Sequence, residues 1–124
     1  LMEGMLNGRH KPHVFNGHDE VALAGVTMGA QAGIGTFYNL MPAHFVGIYE
    51  SVFNRDLETG RKLQGEVNQL IRICQNYGGH ASVRAILRWQ GIDCGDPVKP
   101  TRPLDEAGLA SLRSELDASG LELY

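Results

Sequence analysis

From Val21 to Tyr49 the chain runs for 29 residues without one Asp, Glu, Lys or Arg, and the two residues just before this run are Asp19 and Glu20. An uncharged stretch of that length has to be buried in protein or in lipid. Its content argues against lipid. Gly25, Gly29, Gln31, Gly33, Gly35, Asn39 and Pro42 divide it into short pieces, too short and too polar to cross a bilayer. Buried elements of an α/β domain give this pattern directly, because their strands read as short apolar runs between tight turns.

The local signals inside and around the run fix an order of elements. His13-Val14-Phe15-Asn16 reads as a short buried strand, and Gly17 turns the chain. Asp19 is placed to cap a helix from about Glu20 to Met28, with Val21, Ala24, Gly25 and Met28 as its small packing face and Gly29 as its stop. Ala32 to Thr36 forms a second strand. Strand, helix and strand joined by short turns make a βαβ unit with parallel strands. Pro42 opens the next helix, whose apolar face is Phe45, Ile48, Tyr49 and Val52, and Asn54 ends it. Asp56 caps a long helix, about Leu57 to Tyr77, with a stripe of Leu63, Val67, Leu70, Ile71 and Cys74. Gly78-Gly79 stops it. A short helix ends near Trp89, a loop with Pro97, Pro100 and Pro103 follows, and Asp105 caps a last helix that turns Leu109, Leu112 and Leu116 inward and ends at Gly120. Two parallel strands are too few for a free-standing sheet. More strands are expected, from further sequence or from another copy of the chain.

Composition narrows the partners. The 124 residues are 43% hydrophobic and 20% charged, with a net charge of −3 and scattered arginines, so no phosphate-backbone footprint exists and nucleic acid is not an expected partner. A membrane is not expected either. The two cysteines, Cys74 and Cys94, lack a C-x-x-C spacing and read as free thiols of a reducing, cytoplasmic setting. The opening Leu1-Met2-Glu3-Gly4-Met5-Leu6 has neither a basic region nor a long apolar run. It reads as the tail of a helix rather than a targeting peptide.

Chemistry-bearing residues concentrate at the strand ends. Asp19 and Glu20 follow the first strand, at the end where α/β barrels carry their sites. Paired carboxylates there can accept hydrogen bonds from a polyol. The plainer alternative is that Asp19 caps the helix and Glu20 complements its dipole. Gly33 and Gly35 flank Ile34, which would let a ligand approach the backbone, or would serve only tight packing; Thr36 adds a hydroxyl. The run is neither a Walker A loop nor a dinucleotide fingerprint. His10, His13 and His18 have a spacing that can hold zinc, but they sit on opposite ends of the first strand, so metal is the weakest of the alternatives. No nucleophile stands out. Cys74 lies on an apolar stripe, and Lys11, Lys62 and Lys99 lie before the first strand, on a helix and in the Pro-rich loop, none of them a desolvated Schiff-base position.

Taken together, Asn16-Gly17-His18-Asp19-Glu20, Gly33-Ile34-Gly35-Thr36-Phe37-Tyr38-Asn39, the helix at Leu63-Gln64, the helix at Ala85-Ile86-Leu87 and the Pro-rich loop resemble the C-terminal part of the N-acetylneuraminate lyases, within the dihydrodipicolinate synthase/N-acetylneuraminate lyase superfamily. The resemblance runs along nearly the whole chain, through order and spacing rather than one motif. It implies an α/β fold, the C-terminal portion of a (β/α)8 TIM barrel that takes about 250 residues when complete. Residues 1–55 would be the end of helix 6 and βα units 7 and 8, and residues 56–124 a three-helix C-terminal extension. As a lone chain it would be mostly helical.

The resemblance further implies class I aldolase chemistry, in which a lysine forms a Schiff base with pyruvate or the keto group of a 2-keto-3-deoxy sugar acid such as N-acetylneuraminate, with no cofactor and no metal. The lysine, the proton-relaying tyrosine and the carboxylate-binding loop would all lie upstream of Leu1, so the segment alone would be inactive. What carries over is the distal wall: Asp19 and Glu20 on the hydroxylated tail, Gly17 shaping their turn, Thr36 touching the same tail, and Ile34 walling the pyruvate end. The expected partners are the sugar acid and pyruvate, and other copies of the chain, since the family commonly forms tetramers. The alternative is a non-enzymatic module that self-associates through its exposed strands and helices.

Overall fold

The computed structural model describes residues 12–123. His10, Lys11, the first residues and the expected end of helix 6 lie outside that range. Within it, nearly everything is helical around one two-stranded sheet. β1 (Phe15–Asn16) and β2 (Ala32–Gly33) pair in parallel, with Phe15 opposite Ala32 and Asn16 opposite Gly33. Both strands are shorter than the sequence suggests, and among the described residues each has one partner. The pairing extends through single bonds at its ends: Gln31 N–H donates to Val14 O at 2.9 Å, and Ile34 N–H to Asn16 O at 2.9 Å.

The crossover between the strands starts as a 3₁₀ turn, Asp19–Val21, and continues as α1, Ala22–Thr27. The tighter first turn changes which residues face inward. Ala22, Gly25 and Val26 are buried, whereas Val21 and Met28 are about half exposed at 48% and 59%. The expected face of Val21, Ala24, Gly25 and Met28 is therefore corrected to Ala22, Gly25 and Val26; a 3₁₀ turn has three residues per turn, which shifts the register of everything after it.

A second 3₁₀ turn, Phe37–Asn39, leads into α2 (Pro42–Phe53), with Pro42 in its first turn and Asn54 at its C-cap. α2 buries Phe45, Ile48 and Ser51, while Tyr49 sits at the rim and donates its hydroxyl to Gln31 O at 3.1 Å. α3 (Leu57–Asn76) is capped as expected, the Asp56 carboxylate accepting from Thr59 N–H at 3.1 Å. α4 (His80–Trp89) folds back after Gly78 and Gly79, both with positive φ. The buried Ser82 secures that corner by donating to Tyr77 O at 2.6 Å. α5 (Glu106–Ser119) begins with Asp105 accepting from Gly108 N–H at 2.8 Å and ends at Gly120 in the left-handed region.

The core lies among the helices. Leu40, Met41, Phe45 and Ile48 meet Val67, Leu70, Ile71 and Cys74 of α3, Ile86 of α4, and Leu112 and Leu116 of α5. It crosses from the βα units into the later helices without a break. The sheet is covered on one face only. Asn16 is buried against Gly25 of α1, and the half-buried Gly33 lies against the Tyr38 ring. Side chains alternate along a strand, so Phe15 and Ile34 stand on the other face, where they are 57% and 69% exposed.

Candidate functional site at the strand ends

Parallel pairing decides where the site can be. Asp19 lies three residues beyond Asn16 and Thr36 three residues beyond Gly33, and Asn16 and Gly33 are opposite each other. The two turns that carry these residues therefore leave the sheet at the same end. Asp19 is the residue that joins them. Its side chain is buried, and its Oδ2 accepts a hydrogen bond from Phe37 N–H at 2.9 Å. Its Oδ1 packs against Gly35 and has no hydrogen-bond partner. Burial raises the pKa of this carboxyl above its ordinary value; the Phe37 N–H opposes the rise and the neighbouring Glu20 adds to it.

This geometry corrects two expectations. Asp19 is not a helix cap. Neither His18 nor Val21, the residues flanking the 3₁₀ turn and α1, supplies a side-chain cap, and the Asp19 carboxylate reaches across to the next turn instead. Gly33 and Gly35 do not leave the backbone open to a ligand. A Cβ on Gly33 would lie 1.9 Å from the Tyr38 hydroxyl, and one on Gly35 would lie 1.5 Å from Asp19 Oδ1. These glycines exist because side chains of the chain itself occupy the space. Gly17 differs: a Cβ there would meet nothing within 4 Å.

The remaining expected residues are placed as follows. Glu20 is exposed, next to Asp19 in the same turn. Ile34 is on the uncovered sheet face. Thr36 is half-buried, and its Oγ1 lies 3.5 Å from His80 Nε2. Thr36 and His80 line a groove of about 420 Å³ between α4 and the Pro-rich loop, with Arg84 and Cys94 further along it. Asp19 and Glu20 do not line that groove. Structure thus joins Asp19 to the Thr36–Phe37 turn, and joins Thr36 to α4, which sequence reasoning had not connected. Among the described residues no group of three or more His, Cys, Asp or Glu is gathered as a metal would need, and no helix is long and apolar enough to cross a membrane.

Two further groups belong to the neighbourhood. Tyr38 stacks on Phe45 with ring centroids 3.7 Å apart, and burial, then the Asp19 charge, raises its hydroxyl pKa. Gln64 of α3 is buried and donates from Nε2 to the Asp19 backbone carbonyl at 3.0 Å. A glutamine inside an apolar helical stripe was the signal that could have found it, since a buried amide must be satisfied by something specific.

Two βα units with an acidic turn at their shared end, followed by three packed helices, are the closing part of a (β/α)8 barrel and its helical extension. A family model described as the dihydrodipicolinate synthetase family matches residues 5–119, and the chain belongs to that family. It is 39% identical over 100 residues to the N-acetylneuraminate lyase of Rhizobium meliloti (strain 1021), an overlap of 81% of this chain and 33% of that protein. The structure is similar to that of Proteus mirabilis N-acetylneuraminate lyase, with a TM-score of 0.85 and 26% identity, over 98% of this chain and 41% of that one. It is also similar to the KD(P)GA of T. tenax, with a TM-score of 0.79 and 26% identity, over 88% of this chain and 39% of that one. The chain therefore spans between a third and about two-fifths of the length of these proteins.

Proposed function

We propose that this chain is the substrate-tail wall of a pyruvate-dependent class I aldolase, a lyase that cleaves or forms 2-keto-3-deoxy sugar acids such as N-acetylneuraminate. Family membership and the lyases and aldolases among its relatives support the reaction class. The observation that carries the reading is the acidic turn at the strand ends: Asp19 is buried there and anchored through Oδ2, its Oδ1 is packed on Gly35, and the turn it holds presents Glu20 to solvent. Glu20 is the exposed acceptor of the pair. Thr36 adds a hydroxyl from the adjoining turn, on the side that faces His80 and the groove beside α4, and Gly17 keeps the backbone clear of a side chain. Ile34, on the uncovered sheet face, walls the pyruvate end. Polyol hydroxyls donate to carboxylates, so such a surface holds the tail of a sugar acid and orients it for bond cleavage elsewhere.

The bond-breaking amine is assigned upstream of Leu1. Lys62 and Lys99 are both exposed, and a Schiff-base lysine needs a desolvated pocket to lower its pKa. On this reading residues 1–55 contribute the end of helix 6 and βα units 7 and 8, and residues 56–124 the extension. Segment 1–124 by itself does not cleave sugar acids. The test is to join it to the in-frame upstream coding sequence and measure retro-aldol cleavage. Asp19→Ala and Glu20→Ala are expected to lower kcat/KM for the sugar acid by roughly 10- to 100-fold each, as loss of charge-assisted hydrogen bonds does, while a pyruvate adduct still forms. Equal loss of adduct formation, or no loss with the sugar acid, contradicts the reading.

A second reading is favoured by one observation. Phe15 and Ile34 are exposed on one apolar sheet face, and among the described residues both outer strand edges are unpaired. A self-associating, non-enzymatic module would cover them with a second copy. Homo-oligomer formation in the cytoplasm is compatible with either reading.

A further inference from the structure

The amide side chain of Gln64 is oriented by three bonds at once. Nε2 donates to Asp19 O at 3.0 Å and to Asn68 Oδ1 at 2.9 Å, and Oε1 accepts from Leu23 N–H at 2.9 Å. Asn68, one turn further along α3, donates from Nδ2 to Glu20 O at 3.2 Å. These four bonds replace what the local sequence fails to supply. The 3₁₀ turn and α1 have no side-chain cap of their own, and an N–H in the first turn of a helix has no intrahelical acceptor. Gln64 provides that acceptor from another element. The same amide pair holds the backbone carbonyls of both acidic residues. The Phe37 N–H holds Asp19 alone, through its carboxylate, whereas α3 bonds the backbone of both acidic residues.

We propose that Gln64 and Asn68 are positioning residues for the acidic turn: α3 sets where the backbone that carries Asp19 and Glu20 stands, which makes the helical extension part of the substrate site. The proposal rests on the reading of Asp19 and Glu20 as tail-binding acids, and it adds a specificity role for residues that touch no substrate. The amide pair has defined donor and acceptor ends. Gln64→Glu therefore replaces the donor aimed at Asp19 O with an acceptor and repels it, with no change in volume. Asn68→Ala removes the Glu20 contact and one acceptor of Gln64 at a half-buried position. Both α3 and the acidic turn keep their covalent surroundings, so the effect is one of alignment.

The experiment has two arms. In the first, the chain is labelled with carbon-13 and its carboxyl carbons are followed by NMR across pH 3–8, in the wild type, Asn68→Ala and Gln64→Glu. The Asp19 and Glu20 signals are expected to shift and the Asp19 titration midpoint to fall toward the ordinary aspartate range as the turn loosens. Asp56 and Asp105, which cap helices elsewhere, serve as internal references and are expected to stay in place. Asp19 and Glu20 signals that coincide with wild type overturn the proposal. Unfolding of Asn68→Ala also overturns it, because the pair would then be general framework. In the second arm, the same variants in the protein joined to its upstream segments are expected to raise KM for the sugar acid roughly five- to tenfold with pyruvate adduct formation unchanged. A fall in kcat alone, with KM constant, overturns the substrate role. Failure of the enzyme reading shows differently: the first arm succeeds and the wild type itself cleaves no sugar acid.

Discussion

The Asp19 carboxylate accepts a hydrogen bond from the Phe37 backbone N–H at 2.9 Å, across 18 residues of chain. That bond ties the turn after β1 to the turn after β2. A buried carboxylate usually needs several donors; this one is held by the backbone of the Thr36–Phe37 turn, packs its other oxygen on Gly35, and, because burial outweighs those bonds, holds its proton more tightly than a free aspartate. The tie holds the turns that follow the two strands against each other at one end of the sheet.

The raised Asp19 pKa sets a pH dependence of stability. A carboxyl with a folded pKa above its unfolded value near 3.8 binds more protons in the folded state through that window. It therefore favours folding at low pH, and this contribution is lost as pH rises through the raised value. Asp19→Asn removes the dependence while keeping an acceptor for Phe37 N–H. Urea midpoints measured from pH 3 to 8 should show the variant gaining on wild type as pH rises. Asp19→Ala leaves the Phe37 N–H without its partner and should cost about 1–3 kcal/mol.

The two thiols should separate by reactivity. Cys74 lies in the core on α3, and burial pushes its thiol up to about 12, so almost no thiolate exists at pH 8. Cys94 is exposed. Labelling of the native chain with a thiol reagent should modify Cys94 within minutes and Cys74 only in denaturant. Equal rates in the native state would show that α3 is not packed as described.

Core truncation should be costly where helices from both parts of the chain meet. Leu112 is fully buried, and Leu112→Ala should destabilise by about 2–5 kcal/mol. Val98, 80% exposed in the Pro-rich loop, should tolerate alanine within about 0.5 kcal/mol. Chemical denaturation of both variants checks the contrast.

The bare sheet face should govern association of the chain. Phe15→Lys, on a face where the side chain is 57% exposed, should shift the chain toward monomer in light scattering after size exclusion, with little change in thermal stability. A wild-type chain that is already a monomer at high concentration would argue against the self-associating module.

The helices were legible in the sequence and the site only partly so. Asp56, Asp105, Pro42, Gly78-Gly79 and Gly120 act where they stand, because caps and stops depend on neighbouring backbone alone. Of the stripe Leu63, Val67, Leu70, Ile71 and Cys74, the last four are buried as their spacing requires and Leu63 is partly buried against them. The acidic turn was different. Asp19 has the residue type and position of a cap, yet tertiary structure offers it the Phe37 N–H, and the turn tightens to 3₁₀. Spacing could not reveal that Gln64, 45 residues away, supplies the missing bonds. Nor could it show that Tyr38 and Asp19 fill the space beside Gly33 and Gly35.

The central claim is that this chain grips the substrate while the reactive amine lies outside it. Pyruvate followed by borohydride reduction, read by intact mass, tests that most directly. The account predicts an unchanged mass for residues 1–124 alone and a single pyruvate adduct, mapped outside these residues, once the upstream segments are joined. A stable adduct on Lys11, Lys62 or Lys99 would contradict it.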